Sequence, residues 1–132
     1  MLTTENTEEF ENNSLTDTII GAAISVHREL GPGLLESAYE KCLAFELTRS
    51  SLQITVQQEI PIKYKGQSIE SGFRADLIVE NKVLIELKSV DQLIHVHTAQ
   101  VYTYLKLTGL RTALLINFNV PILKNGIKRL SL

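Results

Sequence analysis

The chain has 132 residues, 44% hydrophobic and 21% charged, a balance that suits one globular domain with one core. No apolar run approaches the length of a membrane span, and the opening "MLTTENTEEFENNS" is too acidic for a secretory leader. A net charge of -2 argues against a protein that coats nucleic acid, and Cys42, the single cysteine, cannot form an internal disulfide, which fits a reducing cytoplasm.

The charge is unevenly spread. Residues 1–60 hold three Lys/Arg and ten Asp/Glu, whereas residues 61–132 hold ten Lys/Arg and five Asp/Glu. A polyanion therefore finds an attractive half, although solvated surface charge explains the same numbers.

Residues 1–14 read as a disordered or loosely held acidic tail, leaving 15–132 as the folded domain. Ser14 or Thr16 can cap a first helix, with Asp17 in its first turn. Ile19, Ile20, Ala23, Ile24 and His27 share one helical face. "GPG" at 31–33 interrupts it, and a second helix is expected from about Leu34 to Thr48. That helix is apolar on most sides and so is covered on more than one face; Cys42 reads as packing.

"QITVQQEIPIKY" is strand-rich, with Pro61 marking an edge or an end, and "KGQSIES" turns at Gly66. "GFRADLIV" (72–79) and "KVLIELKSV" (82–90) follow as two strands joined by a tight turn. A helix from about Leu93 to Thr108 stops at Gly109, a natural left-handed cap, and "TALLINF" (112–118) is another strand. "VPILKNGIKRL" is either a last weak strand or a tail. The order α-α-β-β-β-α-β predicts an α/β fold with a mixed sheet between helices, parallel across 82–118.

Side chains alternate faces along a strand. In 72–79 and 82–88 the odd positions Phe73, Ala75, Leu77, Val79, Val83, Ile85 and Leu87 are all apolar. Burying that face requires odd to pair with odd, which selects a three-residue loop, Glu80-Asn81-Lys82, with Asn81 or Lys82 left-handed. Asp76 then faces Glu86, with Lys88 next on the same face. Two carboxylates roughly 5 Å apart repel by something like 4 kcal/mol at an effective dielectric near 20. A cation or a shared proton has to relieve that repulsion. Lys88 supplies one charge; a divalent metal supplies a better one. A buried lysine–carboxylate network kept for structure is the competing explanation.

Asp76, Glu86 and Lys88 in this order across a hairpin resemble the signature of the PD-(D/E)XK nuclease superfamily, with Ala75 where the signature has proline. The likeness spans nearly everything after residue 15. Gly33, Glu36 and Tyr39 in "GLLESAY" resemble the small bacterial GxxExxY proteins of that superfamily, and Gln100 and Tyr104 resemble the Q-x-x-x-Y motif of its RecB-like branch.

The resemblance implies a restriction-endonuclease-like three-layer core and metal-assisted phosphodiester hydrolysis. Asp76, Glu86, Glu36 and the main-chain carbonyl of Leu87 would hold Mg²⁺ or Mn²⁺. Lys88 would act on the attacking water, and Gln100, Tyr104 and Tyr39 would position the substrate. Some relatives use a helix-borne histidine ligand, so His27 is either a ligand or a satisfied core residue. His95 and His97 read as surface. The implied partner is nucleic acid, DNA ahead of RNA, with no membrane and with homodimerisation as an option. A non-catalytic binding module with the same fold is the alternative.

Overall fold

A computed structural model describes residues 4–132, excluding the side chains of residues 4–7 and of Phe10. Helix α1 spans Thr4–Leu30 and helix α2 spans Glu36–Arg49. Strand β1 covers Ile54–Glu59, and β2 (Ile62–Tyr64) and β3 (Gln67–Ile69) form a small hairpin. Strands β4 (Arg74–Val79) and β5 (Val83–Lys88) lead to α3 (His95–Thr108), then β6 (Thr112–Asn117) and β7 (Ile127–Ser131). A single 3₁₀ turn, Leu123–Gly126, precedes β7.

The main sheet has the order β1-β4-β5-β6-β7. Only β5 and β6 run parallel, as the strand–helix–strand reading predicted. The central strands are buried along nearly their whole length because both sheet faces are covered. On one face Ile19, Ala23, Tyr39 and Leu43 of α1 and α2 meet Leu77, Val83, Ile85 and Leu114. On the other, Val101, Tyr104 and Leu105 of α3 meet Ile78, Leu84 and Leu115. The result is the three-layer mixed α/β core that the sequence led us to expect. The expected weak strand after Pro121 exists as β7, an edge strand.

Several boundaries differ from expectation, among them that of α3, which begins at His95 rather than at about Leu93. Helix α1 starts at Thr4 rather than at a cap at Ser14 or Thr16, so residues 4–14 are helical rather than a loose tail; residues 1–3 of the expected tail lie outside the described residues. No proline or glycine interrupts 4–20, and Asn12 is buried, its Nδ2 donating to Thr112 Oγ1 at 3.3 Å. Exposed pairs Glu11–Lys82 and Glu8–Arg111 add little to this docking. Helix α2 begins at Glu36, two residues late, because Leu35 is extended (ψ 151°). The stretch 53–64 is not one strand: it breaks at Pro61, and the β2–β3 hairpin stands apart from the main sheet.

The β4–β5 turn follows the predicted register. Val79 pairs with Val83 and Leu77 with Ile85 around the loop 80–82. Asn81 is left-handed (φ 53°), and so is Glu80 (φ 54°). Glutamate tolerates this because it is tied twice to Gln53. Its N–H donates to the Gln53 carbonyl at 2.8 Å, and its Oε2 accepts the Gln53 N–H at 2.7 Å.

Candidate active site

Beyond the pair Leu77–Ile85 the strands diverge. One more step of the same register places Asp76 opposite Glu86, but the ladder is replaced by side chains. The Asp76 N–H donates to Glu86 Oε1 at 3.0 Å, and the Leu87 N–H donates to Asp76 Oδ2 at 2.8 Å. Each carboxylate therefore bonds to the opposite strand. Both are held in place before any ligand arrives, by amides that the sheet no longer uses.

The same point interrupts β1. Gln57 is the residue opposite Asp76, between the pairs Val56–Leu77 and Gln58–Ala75, and its backbone is left-handed (φ 53°). Its Nε2 donates to Glu40 Oε2 at 2.7 Å and to Asp76 Oδ1 at 3.1 Å. This pleat break corrects one expectation. The odd positions of β4 do not share one face: Leu77 packs under α1 and α2, whereas Ala75 packs on the α3 side with Ile60 and Tyr104. Phe73 also turns that way, its ring centroid 6.1 Å from that of Tyr104.

Electrostatics follows from this packing. Glu86 is only 5% exposed, and its carboxyl is pushed up to about 8, first by burial and then by the neighbouring Asp76 charge. The amide of Asp76 and the charge of Lys88 pull it down, but by less. Glu40 is also raised, by burial and by Asp76. Tyr104 is raised by burial and then by the charges of Glu86 and Asp76.

The expected site residues divide into two groups. Asp76, Glu86 and Tyr104 come together. Lys88, half-buried, is the next side chain after Glu86 on that face, and its charge is felt by Glu86. Glu36 is exposed at the start of α2 yet still raises Glu86, so it stands at the rim. Gln100 is half-buried one helical turn before Tyr104. Leu87 serves the site through its N–H, on Asp76.

Two residues do other work. Tyr39 is fully buried, stacked on Phe118 at 4.3 Å. Its hydroxyl donates to the Gly31 carbonyl at 2.6 Å and accepts the Leu34 N–H at 3.1 Å. It braces the 31–34 turn and offers no surface to a substrate, contrary to the expectation that it positions one. His27 is 7% exposed, and its Nε2 lies 2.8 Å from the Val120 carbonyl, a contact that occupies this ring nitrogen within the protein. His97 caps α3, accepting the Ile94 N–H on Nδ1 at 3.1 Å, and His95 is exposed.

Gln57 and Glu40 were missed. Glu40 lies four residues after Glu36, hence on the same helix face, and that spacing could have revealed it. Nothing in the sequence marks Gln57, because left-handed positions favour Gly, Asn or Asp. The loop after β5 is secured from behind. Asn117, buried, accepts the Val90 N–H at 3.1 Å and donates to the Val90 carbonyl at 2.9 Å, and Ser89 Oγ donates to the Leu34 carbonyl at 2.6 Å. Gly126 abuts the Asn117 carbonyl so closely that any Cβ would collide with it.

Among the described residues no three His, Cys, Asp or Glu side chains converge on one point. A magnesium-type cation does not require that, since it keeps several waters and is commonly held by one or two carboxylates. Asp76 and Glu86 offer two. The donor set fits such an ion.

Among the described residues no helix is long and apolar enough to cross a membrane. No curated protein and no solved structure matches the chain significantly. A family model described as the PD-(D/E)XK nuclease superfamily matches residues 13–130.

Proposed function

Because the chain belongs to the PD-(D/E)XK nuclease superfamily, we propose that it is a metal-dependent nuclease that hydrolyses phosphodiester bonds of DNA or RNA at Asp76, Glu86 and Lys88. The observation that carries this reading is the crossed pair of carboxylate–amide bonds, which holds two acidic groups together where a sheet would ordinarily bond to itself. An uncompensated arrangement of this kind is costly as packing alone.

Asp76 and Glu86 would hold Mg²⁺ or Mn²⁺, with Glu36 or Glu40 supplying a further carboxylate from α2. When bound, the ion supplies polarisation of a phosphoryl oxygen and a lowered pKa for a coordinated water. Lys88 has only donors and does not ligate the ion while charged. It orients the attacking water or stabilises the negative charge that develops on phosphorus oxygens. Tyr104 and Gln100 line the α3 side and position the strand to be cut. The Gly33, Glu36 and Tyr39 spacing supports assignment to the GxxExxY proteins, and Gln100 with Tyr104 supports the RecB-like branch. A cytoplasmic location fits the single cysteine.

The second reading, a binding module without turnover, draws support from the absence of a three-ligand cluster among the described residues. Cleavage assays on single- and double-stranded DNA and RNA with Mg²⁺ or Mn²⁺ separate the two. Wild type should cut in a metal-dependent way, and Lys88→Ala should lose about 100-fold or more in rate while still binding the metal. Failure of wild type to cut any substrate favours the binding module.

A further inference from the structure

The hairpin β2–β3 is the least explained part of the fold. It pairs with no other strand, and every residue from Lys63 to Glu70 is exposed. A two-stranded hairpin without a core is marginal on its own. Yet this one has a regular register, Ile62 with Ile69 and Tyr64 with Gln67.

Its position connects it to the carboxylates. The β1–β4 ladder continues past Gln57 and Asp76 to a bond from the Ile60 N–H to the Phe73 carbonyl at 2.9 Å, and the hairpin is the link between those two residues. Arg74 Nη1 donates back to the Gln57 carbonyl at 3.2 Å. Phe73 lies three residues from Asp76, about 10 Å along the strand, and touches Tyr104 beside Glu86.

Its chemistry is unlike that of the rest of the N-terminal half. The segment 61–74, which is the hairpin with its run into β4, carries three cations, Lys63, Lys65 and Arg74, against the single carboxylate Glu70. Two aromatic rings are open to solvent, Tyr64 at 58% and Phe73 at 44% exposure. Lys65 Nζ lies 5.5 Å from the Tyr64 ring centroid, a cation and a π face presented together.

Resting on the nuclease reading above, we infer that the β2–β3 hairpin is a guide arm for an unpaired DNA strand, with Tyr64 and Phe73 stacking on bases and Lys63, Lys65 and Arg74 on phosphates. Charge complementarity selects a polyanion. Exposed rings select one whose bases are free to stack, because a duplex keeps its π faces inside. The arm leads the strand along β4 toward Tyr104 and the carboxylate pair.

The test is fluorescence anisotropy of a labelled twelve-residue oligothymidylate and of a twelve-base-pair duplex, in EDTA so that nothing is cut. The proteins are wild type, Tyr64→Ser, Tyr64→Phe and Lys63→Gln/Lys65→Gln. Tyr64 is remote from the carboxylates and exposed, so these variants should melt like wild type. Tyr64→Ser should weaken oligothymidylate binding by about fivefold or more, and Tyr64→Phe should restore it. The double lysine variant should flatten the salt dependence of binding. Binding of Tyr64→Ser within about twofold of wild type, or tighter wild-type binding of the duplex than of the single strand, would overturn the assignment. Cleavage is measured apart. If wild type cuts nothing but Tyr64→Ser loses the oligonucleotide, the nuclease reading fails and the arm stands. If wild type cuts and the hairpin variants bind and cut alike, the arm alone fails.

Discussion

The two ends of the β4–β5 hairpin share a register and almost nothing else. At the turn end, Val79 faces Val83, both fully buried, and the strands bond to each other. At the other end, Asp76 faces Glu86 and the strands bond to each other's side chains. The turn end is held by burial and by a backbone turn that Glu80 and Gln53 lock. The site end gives up ladder bonds and hydrophobic cover to hold two carboxylates. The difference separates, along only a few residues, a hydrophobic turn from a pair of held carboxylates.

The largest effect should come from breaking the site end itself. Asp76→Ala removes one of the two carboxylates proposed to hold the ion and leaves the Leu87 N–H, at a buried residue, without its acceptor. Cleavage should fall to background, and denaturant melts should show a loss of about 1–3 kcal/mol. Unchanged melts would mean that water or backbone already satisfies Leu87, and that the crossed bonds are not what holds the strands.

The pH dependence sharpens the comparison, because the Glu86 carboxyl lies at the site end. The carboxyl of Glu86 sits near 8 in the fold against an ordinary 4.5. Between those values the folded chain holds a proton that the unfolded chain has lost. Metal-free stability should therefore fall as pH rises from about 5 to about 8, by up to about 1.4 kcal/mol per unit. Urea melts of wild type and Glu86→Gln across that range check this, and the variant should lose most of the slope, keeping only what the raised Glu40 carboxyl contributes. Asp76→Asn should lower the Glu86 value without returning it to 4.5, since burial is the larger cause.

The smallest effect belongs to the turn end. Asn81→Ala puts an ordinary residue at φ 53° and should cost about 1 kcal/mol in melts. Metal affinity should not change. If it does, the two ends are mechanically coupled and the separation drawn here is too clean.

The same contrast explains what the sequence made legible. The register could be read because apolar residues on both sides of the turn agree in parity, and burial enforces parity wherever the pleat is regular. Asp76, Glu86, Lys88 and Tyr104 followed from it or from motif spacing. The reversal at Ala75 could not be read, because parity assumes an unbroken pleat and Gln57 breaks it without a glycine to announce it. Tyr39 was misjudged because a motif position carries no sign of where its hydroxyl is spent. The first helix was cut short because acidic composition suggested a tail, whereas Asn12 docks on Thr112 through one contact a hundred residues away.

The central claim is that the crossed carboxylates form a cation site. Thermal melts of wild type and Glu86→Gln at pH 7.5, with and without millimolar Mg²⁺, test it most directly. The wild-type Tm should rise with Mg²⁺ and level off as the site saturates, while Glu86→Gln should respond far less. Equal shifts in the two proteins, or no shift in wild type, would contradict the account.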